Sequence, residues 1–374
     1  MATVTLQQTS LPDLSGTPYA YYDNWIESLE LPIYKGYYIE DLRTIALGRW
    51  DDRGVDAAFL QLAGQQGVTG CYVTEIAPGA TTPPFRLAMD ECIYVLQGRG
   101  ITSIQGPDTS AEKSFEWQTH SMFLAPANHP YQLSNTAGNQ PARLLHSNYL
   151  PIAMSVMKNH DYFFNNPVVD QSRLLGDGEF FSTARALDRA SAGGRVAQTW
   201  SGNFFPDMRA WDKLVPFFGR GAGGTAVFVE FPGSPITAHM SVFPPKSYKK
   251  GHRHGPAFVI VIPAGEGYSM MWPNEEAEKV IIPWHEASCF VPPNRWFHQH
   301  FNVSEHPDRY LAIHPPRGLS GTGERIEDRA KDQIEYPDED PQVRERFEGE
   351  LAKRGLTSVM PDQAYRDHSF EWDY

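Results

Sequence analysis

The sequence predicts an all-β fold built as two tandem barrels, and two observations carry that prediction. The first is composition: 30 prolines, 31 glycines and 13% aromatic residues suit many short strands joined by turns better than long helices. The second is an internal repeat. Writing "ECIYVLQGRG" (91–100) over "FVIVIPAGEG" (258–267) places Gly98 on Gly265 and Gly100 on Gly267, an offset of 167 residues. The same offset sets Trp117 on Trp284, Phe123 on Phe290, Pro126 on Pro293, Asn135 on Asn302 and, upstream, Arg53-Gly54 on Arg220-Gly221. Matches at one fixed offset, all at turn or aromatic positions, mark a duplication.

Along the chain, residues 1–39 form an aromatic N-terminal segment. Residues 40–149 are the first copy, with strand-like runs "GCYVTEIAPG", "CIYVLQGRG" and "SMFLAP" between Gly and Pro turns. Residues 150–205 read as an ordered linker, with a short helical piece near 181–191 and a glycine break at 193–194. Residues 206–317 are the second copy, with "AVFVEFPG", "AHMSVFPP", "FVIVIPAGEG" and "SCFVPP". The charged tail 318–374 contains one helix over 340–354: Asp340 is its N-cap, Pro341 opens it, Val343, Phe347 and Leu351 repeat every four residues, and Gly355 ends it.

Several function classes are disfavoured. A net charge of −13 with only short basic pieces such as Lys249-Lys250 opposes nucleic-acid binding. The longest apolar run, "AFVIVIPAG", is too short to span a bilayer, and the first residues lack a secretory pattern. Three cysteines without a CxxC pair predict neither a disulfide framework nor a thiolate zinc site, and fit a reducing cytoplasm. Cys92 and Cys289 lie in strand-like runs and read as buried, inert thiols.

The candidate chemistry lies in histidines. On a strand His252 and His254 share one face with Phe258, and "PPNRWFHQHFN" supplies His298 and, two residues on, His300. Three neutral imidazoles from two strands occupy one side of a metal at ~2.0–2.1 Å and leave other positions open.

The pattern "GHRHGPAFVIVIPAG", then "PPNRWFHQHFN", resembles the two motifs of the cupin superfamily, G-x5-H-x-H-x3-4-E-x6-G and P-x-G-x2-H-x3-N. His252, His254 and Gly265 match the first; Pro293, His298 and Asn302 match the second; Phe258 replaces the glutamate and Arg295 the glycine. The first copy resembles the motifs more distantly, with Phe85, Leu87 and Tyr131 at the histidine positions and Glu91 at the carboxylate position. The resemblance implies a bicupin: two double-stranded β-helix (jelly-roll) barrels, short helices and a C-terminal helix, with metal in the second barrel only. His129 and His146 are off register in the first, and Glu91 there reads as hydrogen-bonded or salt-bridged.

Without a glutamate, a divalent ion keeps its full charge and favours anionic, chelating ligands. Three-histidine cupins of this kind are similar to ring-cleaving dioxygenases acting on gentisate, salicylate and 1-hydroxy-2-naphthoate, and to diketone-cleaving and thiol dioxygenases. In the gentisate group, however, the metal lies in the first cupin. The expectation is therefore an Fe(II) dioxygenase that takes a small-molecule substrate and dioxygen and cleaves a carbon–carbon bond. One alternative is a non-redox isomerase, lyase or decarboxylase using Mn(II), Ni(II) or Zn(II), although the oxalate-degrading cupins resemble the full motif with its glutamate. The other is a non-catalytic binding barrel. Expected roles are His252, His254 and His298 as metal ligands, His300 as orienting group or proton relay, and Arg295 as a fork for a substrate carboxylate, with Arg253 pointing away. Phe258, Trp272 and Trp296, with Phe301, would wall the pocket, and His239 would stand as fourth ligand or supporting group. His285, His306 and His314 read as surface residues. A homo-oligomer is expected.

Overall fold

Strand Val55–Leu62 buries apolar side chains on both of its faces, Ala57 and Phe59 on one and Ala58, Leu60 and Leu62 on the other. A strand of this kind needs cover on both sides, and the fold provides it by packing two sheets back to back. In the computed structural model, which describes residues 3–5, 20–106, 112–169, 181, 184–190, 196–217, 219–274, 277–319 and 331–372, the chain forms two large and two small sheets.

The first large sheet runs Thr3–Thr5, Ile33–Gly36, Val55–Leu62, Gly70–Ile76, Ala142–Asn148, Glu91–Gln97, Met122–Ala125 and Phe204–Phe205. Its small partner is Tyr131–Asn135, Arg99–Gln105 and Glu112–Gln118. The second large sheet runs Arg185–Ala190, Val196–Ser201, Thr225–Glu230, Thr237–Phe243, Asp308–Ile313, Val259–Ala264, Cys289–Phe290 and Tyr38–Ile39. Facing it are Val280–His285, Glu266–Trp272, Phe297–Asn302, Gly251–His252 and Gln333–Ile334. One layer between the large sheets combines Cys92, Tyr94 and Leu145 with Val259, Val261 and Leu311. The opposite faces line the interiors of the two barrels, around Ile93 and Val95 in the first and Ile260 and Ile262 in the second.

The repeat is exact in register where the barrel turns. Gly70–Ile76 and Thr237–Phe243, and likewise Arg99–Gln105 and Glu266–Trp272, stand 167 residues apart at both ends. Gly98 and Gly265 both take positive φ, 98° and 114°, which a side chain rarely tolerates. The paired tryptophans make the same bond in each barrel: Trp117 Nε1 donates to Thr102 Oγ1 and Trp284 Nε1 to Ser269 Oγ, both at 3.0 Å.

The linker differs from its sequence reading. Residues Arg185–Ala190 are a strand paired with Val196–Ser201, where a helical piece was expected; cross-strand pairing overrides the helix preference of its alanines and leucine. The glycines at 193–194 lie outside the described residues. The segments outside the copies are woven into both barrels: Tyr38–Ile39 extends the second large sheet and Phe204–Phe205 the first. The C-terminal helix, Pro341–Lys353, has Asp340 as its cap and buries Val343, Phe347 and Leu351, with Phe347 against Tyr248 and Phe301 on the back of the second small sheet. No helix among the described residues is long and apolar enough to cross a membrane.

Candidate metal centre

The second barrel brings four imidazoles together by simple local means. His252 lies in the two-residue strand Gly251–His252, directly opposite His298 of Phe297–Asn302. Within Phe297–Asn302, His298 and His300 share the interior face by strand alternation, while Phe297 and Phe301 take the other. After His252 the chain leaves the sheet. His254 is held in a loop whose Ala257 adopts φ 68° and donates its N–H to Gly64 O at 2.8 Å. Gly64 must be bare, because a Cβ there would meet Val291 O at 2.2 Å. Arg295, at the motif's glycine position, adopts φ 63°, and its N–H closes on His254 O at 2.9 Å.

Ring centres lie 4.3 Å apart for His252 and His298, 4.6 Å for His254 and His298, and 5.6 Å for His298 and His300. One ring nitrogen from each of His252, His298 and His300 falls within 4.8 Å of the others, whereas the His254 ring sits against that of Phe258, 4.0 Å between centres. Each ring is tethered at Nδ1: His252 to Lys250 O at 3.1 Å, His254 to Gly255 O at 2.8 Å, His298 to Trp296 O at 3.2 Å, and His300 to Ser269 Oγ at 2.8 Å. Burial, reinforced by Arg220 and neighbouring imidazoles, holds His252 and His298 well below the usual imidazole range, and burial with Lys249 does the same for His300. His254 is pushed down to about 4 by burial, against its bond to Gly255. These are neutral rings.

Other expected site residues fall elsewhere. Arg295 does not present a free fork. Its guanidinium grips Asp332, with Nη1 on Oδ2 at 2.8 Å and Nη2 on Oδ1 at 2.5 Å, and Arg253 shares that carboxylate through Nε at 3.0 Å. Trp272 and Phe301 face away from the histidines by strand parity and pack in the cluster under the C-terminal helix. Trp296 stays at the barrel, against Tyr37 at 5.7 Å, and Phe258 bridges His254 and His314. His239 is outside the four-ring cluster: its Nδ1 bonds His314 Nε2 at 2.6 Å. His314, read as a surface residue, is instead half-buried and also bonded to Thr237.

Sequence reading missed Lys249 and Ser269. Lys249 is fully buried; its Nζ contacts Ser241 Oγ and Tyr310 Oη, and burial, with Arg220, holds it well below the usual lysine range. In the sequence it counted only as half of a short basic piece, Lys249-Lys250. The repeat offered the signal for Ser269, since Thr102 occupies the same place under Trp117. In the first barrel, Glu91 accepts from Tyr72 at 2.7 Å, Tyr131 at 2.7 Å and Asn148 at 3.0 Å, and bonds His146 Nδ1 at 2.9 Å.

No family model matches the chain, and no curated protein matches it. Among solved structures, a variant of Bacillus subtilis oxalate decarboxylase is 10% identical, covers 75% of this chain and 77% of its own, and superposes with TM-score 0.46. The formate complex of Lactobacillus farciminis oxalate decarboxylase is 12% identical over 74% of this chain and 85% of its own, TM-score 0.46. A Bacillus subtilis oxalate decarboxylase structure from a study of its Mn(II) centres is 11% identical over 75% and 77%, TM-score 0.47. Likeness at this level does not carry an activity across. By its own strand order and register, the chain is an all-β protein of two tandem jelly-roll barrels with a C-terminal helix.

Proposed function

We propose that the second barrel holds one divalent metal through His252, His254 and His298 and acts on a small anionic molecule that chelates it. The supporting observation is that all three Nδ1 atoms lie on backbone carbonyls. A carbonyl only accepts, so each Nδ1 keeps its proton and each Nε2 keeps a lone pair in a buried space. Neutral imidazoles suit iron, nickel, copper and zinc, so the donor set fits such an ion.

His300 takes a different part, despite its closeness to His252 and His298. Its Nδ1 faces the Ser269 hydroxyl, which already accepts from Trp284. In this reading the hydroxyl gives its own proton to Nδ1 and the ring's proton sits on Nε2. His300 is then a donor at the edge of the cluster, placed to hold a substrate oxygen or pass it a proton. Arg220 adds to the positive character of the interior, and Phe258 leaves it without the motif's carboxylate.

The metal of this reading is Fe(II), which when bound lets dioxygen react with an electron-rich chelating ligand, so the reaction is oxygen-dependent carbon–carbon cleavage of an aromatic hydroxy acid, phenolic or diketone. A second reading, a non-redox lyase, decarboxylase or isomerase with Mn(II), Ni(II) or Zn(II), is favoured by the His239–His314 pair at 2.6 Å beside Phe258. One ring of the pair donates its N–H to the other, which gives a path for a proton, and proton delivery to carbon is what such a reaction needs.

Metal analysis of protein purified without added metal, followed by oxygen-electrode traces with aromatic hydroxy acids and β-diketones, separates the readings. Iron with substrate-dependent oxygen uptake is expected. Manganese or zinc with turnover but no oxygen uptake selects the second reading, and no metal, with no thermal stabilisation by any, refutes both. His254→Ala is expected to lose the metal, whereas His300→Ala keeps it and loses ~10²–10⁴-fold in turnover. The opposite pattern would make His300 the third ligand.

A further inference from the structure

Arg53 in the first barrel is almost fully buried, at 5% exposure, and its guanidinium lies on the Phe85 ring, 3.2 Å from the centroid. Its Nη2 donates to Tyr131 Oη at 3.2 Å and its Nη1 to Tyr72 Oη at 3.4 Å. Each phenol passes its own proton on to Glu91, Tyr131 to Oε2 and Tyr72 to Oε1, both at 2.7 Å. Fork, two phenols and carboxylate thus close a ring of four hydrogen bonds. At the offset of 167, Phe85, Tyr131, Glu91 and Tyr72 correspond to His252, His298, Phe258 and His239. The guanidinium therefore stands among the very positions that carry the imidazoles of the other barrel. Its counterpart, Arg220, reaches instead to Gln333 Oε1 at 2.9 Å, in the strand Gln333–Ile334.

We propose that the first barrel retains a cation-binding site whose occupant is the chain's own Arg53. The ligand class is a planar, delocalised monocation, matched by an aromatic face beneath and two phenol oxygens at its edge. With Phe85, Leu87 and Tyr131 in place of His252, His254 and His298, and Glu91 in place of Phe258, the same positions hold a guanidinium where the other barrel gathers imidazoles. This reading stands apart from the activity of the second barrel.

Arg53→Ala tests it. The variant is expected to lose about 10 °C in Tm, because Glu91 is left buried with its cation removed. A few millimolar guanidinium chloride, far below denaturing levels, should restore part of that loss, while sodium chloride or urea at the same concentration should not. Wild type and Arg220→Ala should not respond. An unchanged Tm, or equal recovery with sodium, overturns the proposal. Should Arg53→Ala fail to fold, the pair Arg53→Met with Glu91→Gln decides. If Arg53 is the site's cation, the double variant folds better than Arg53→Met alone; if it folds no better, the proposal fails.

Discussion

Phe258 sits where the cupin motif places a glutamate, and its ring packs on His254 at 4.0 Å. The contact explains why the exchange is compatible with a buried site: the motif's negative group is replaced by an apolar wall, and the imidazoles stay neutral. Asp308 shows the opposite situation. It is fully buried, its Oδ1 accepts from Glu266 N at 3.1 Å, its Oδ2 meets no donor among the described residues, and a Cβ on Gly265 would strike it at 1.9 Å. Burial pushes its carboxyl up from 3.8 to about 9. A carboxyl raised on folding stabilises the fold while protonated, so its contribution is whole below about pH 3.8 and is lost as pH rises through about 9. Asp308→Asn keeps the acceptor and removes the titration. Urea unfolding across that range should show the variant gaining on wild type by several kcal/mol toward alkaline pH, since each pH unit between the two values is worth about 1.4 kcal/mol. A constant difference at all pH values would mean that Asp308 is ionised in the fold.

At the scale of elements, the strands and the C-terminal helix were legible because their signals are local: alternation, turn glycines, an Asp-Pro start and a four-residue apolar repeat. The helix buries Phe347 completely against Tyr248, and Tyr248 in turn donates to Glu339 just ahead of the helix. Phe347→Ala should therefore cost ~3–5 kcal/mol in chemical denaturation. A loss under 1 kcal/mol would show the helix to be peripheral. What was not legible depends on which segments pair and on which side chains meet. Arg185–Ala190 becomes a strand only because Val196–Ser201 lies beside it. Arg295 is taken from the pocket by Asp332, 37 residues away, which also binds Arg253. Strand parity with His298 puts Phe301 on the outer face, and the register that pairs Trp272 with Phe297 puts Trp272 there too. For His254 parity misleads, since the strand ends at His252 and loop contacts from Gly64 place the ring instead.

For the whole molecule, duplication explains both the fold and the division of labour. Two copies at one offset pack their large sheets on a shared layer, and each sheet takes in three strands from segments outside the copies. Exchange of strands across the pair ties the barrels together, while the interiors remain separate and free to diverge. One interior carries four neutral imidazoles; the other carries Glu91, its phenols and Arg53. The measurement that bears most directly on this account is metal stoichiometry per chain after loading with excess ferrous or manganous ion and desalting, made on wild type, His298→Ala and Tyr131→Phe. One ion per chain is expected in wild type and in Tyr131→Phe, and none in His298→Ala. Two ions in wild type, or an ion that survives His298→Ala and is lost in Tyr131→Phe, would contradict it.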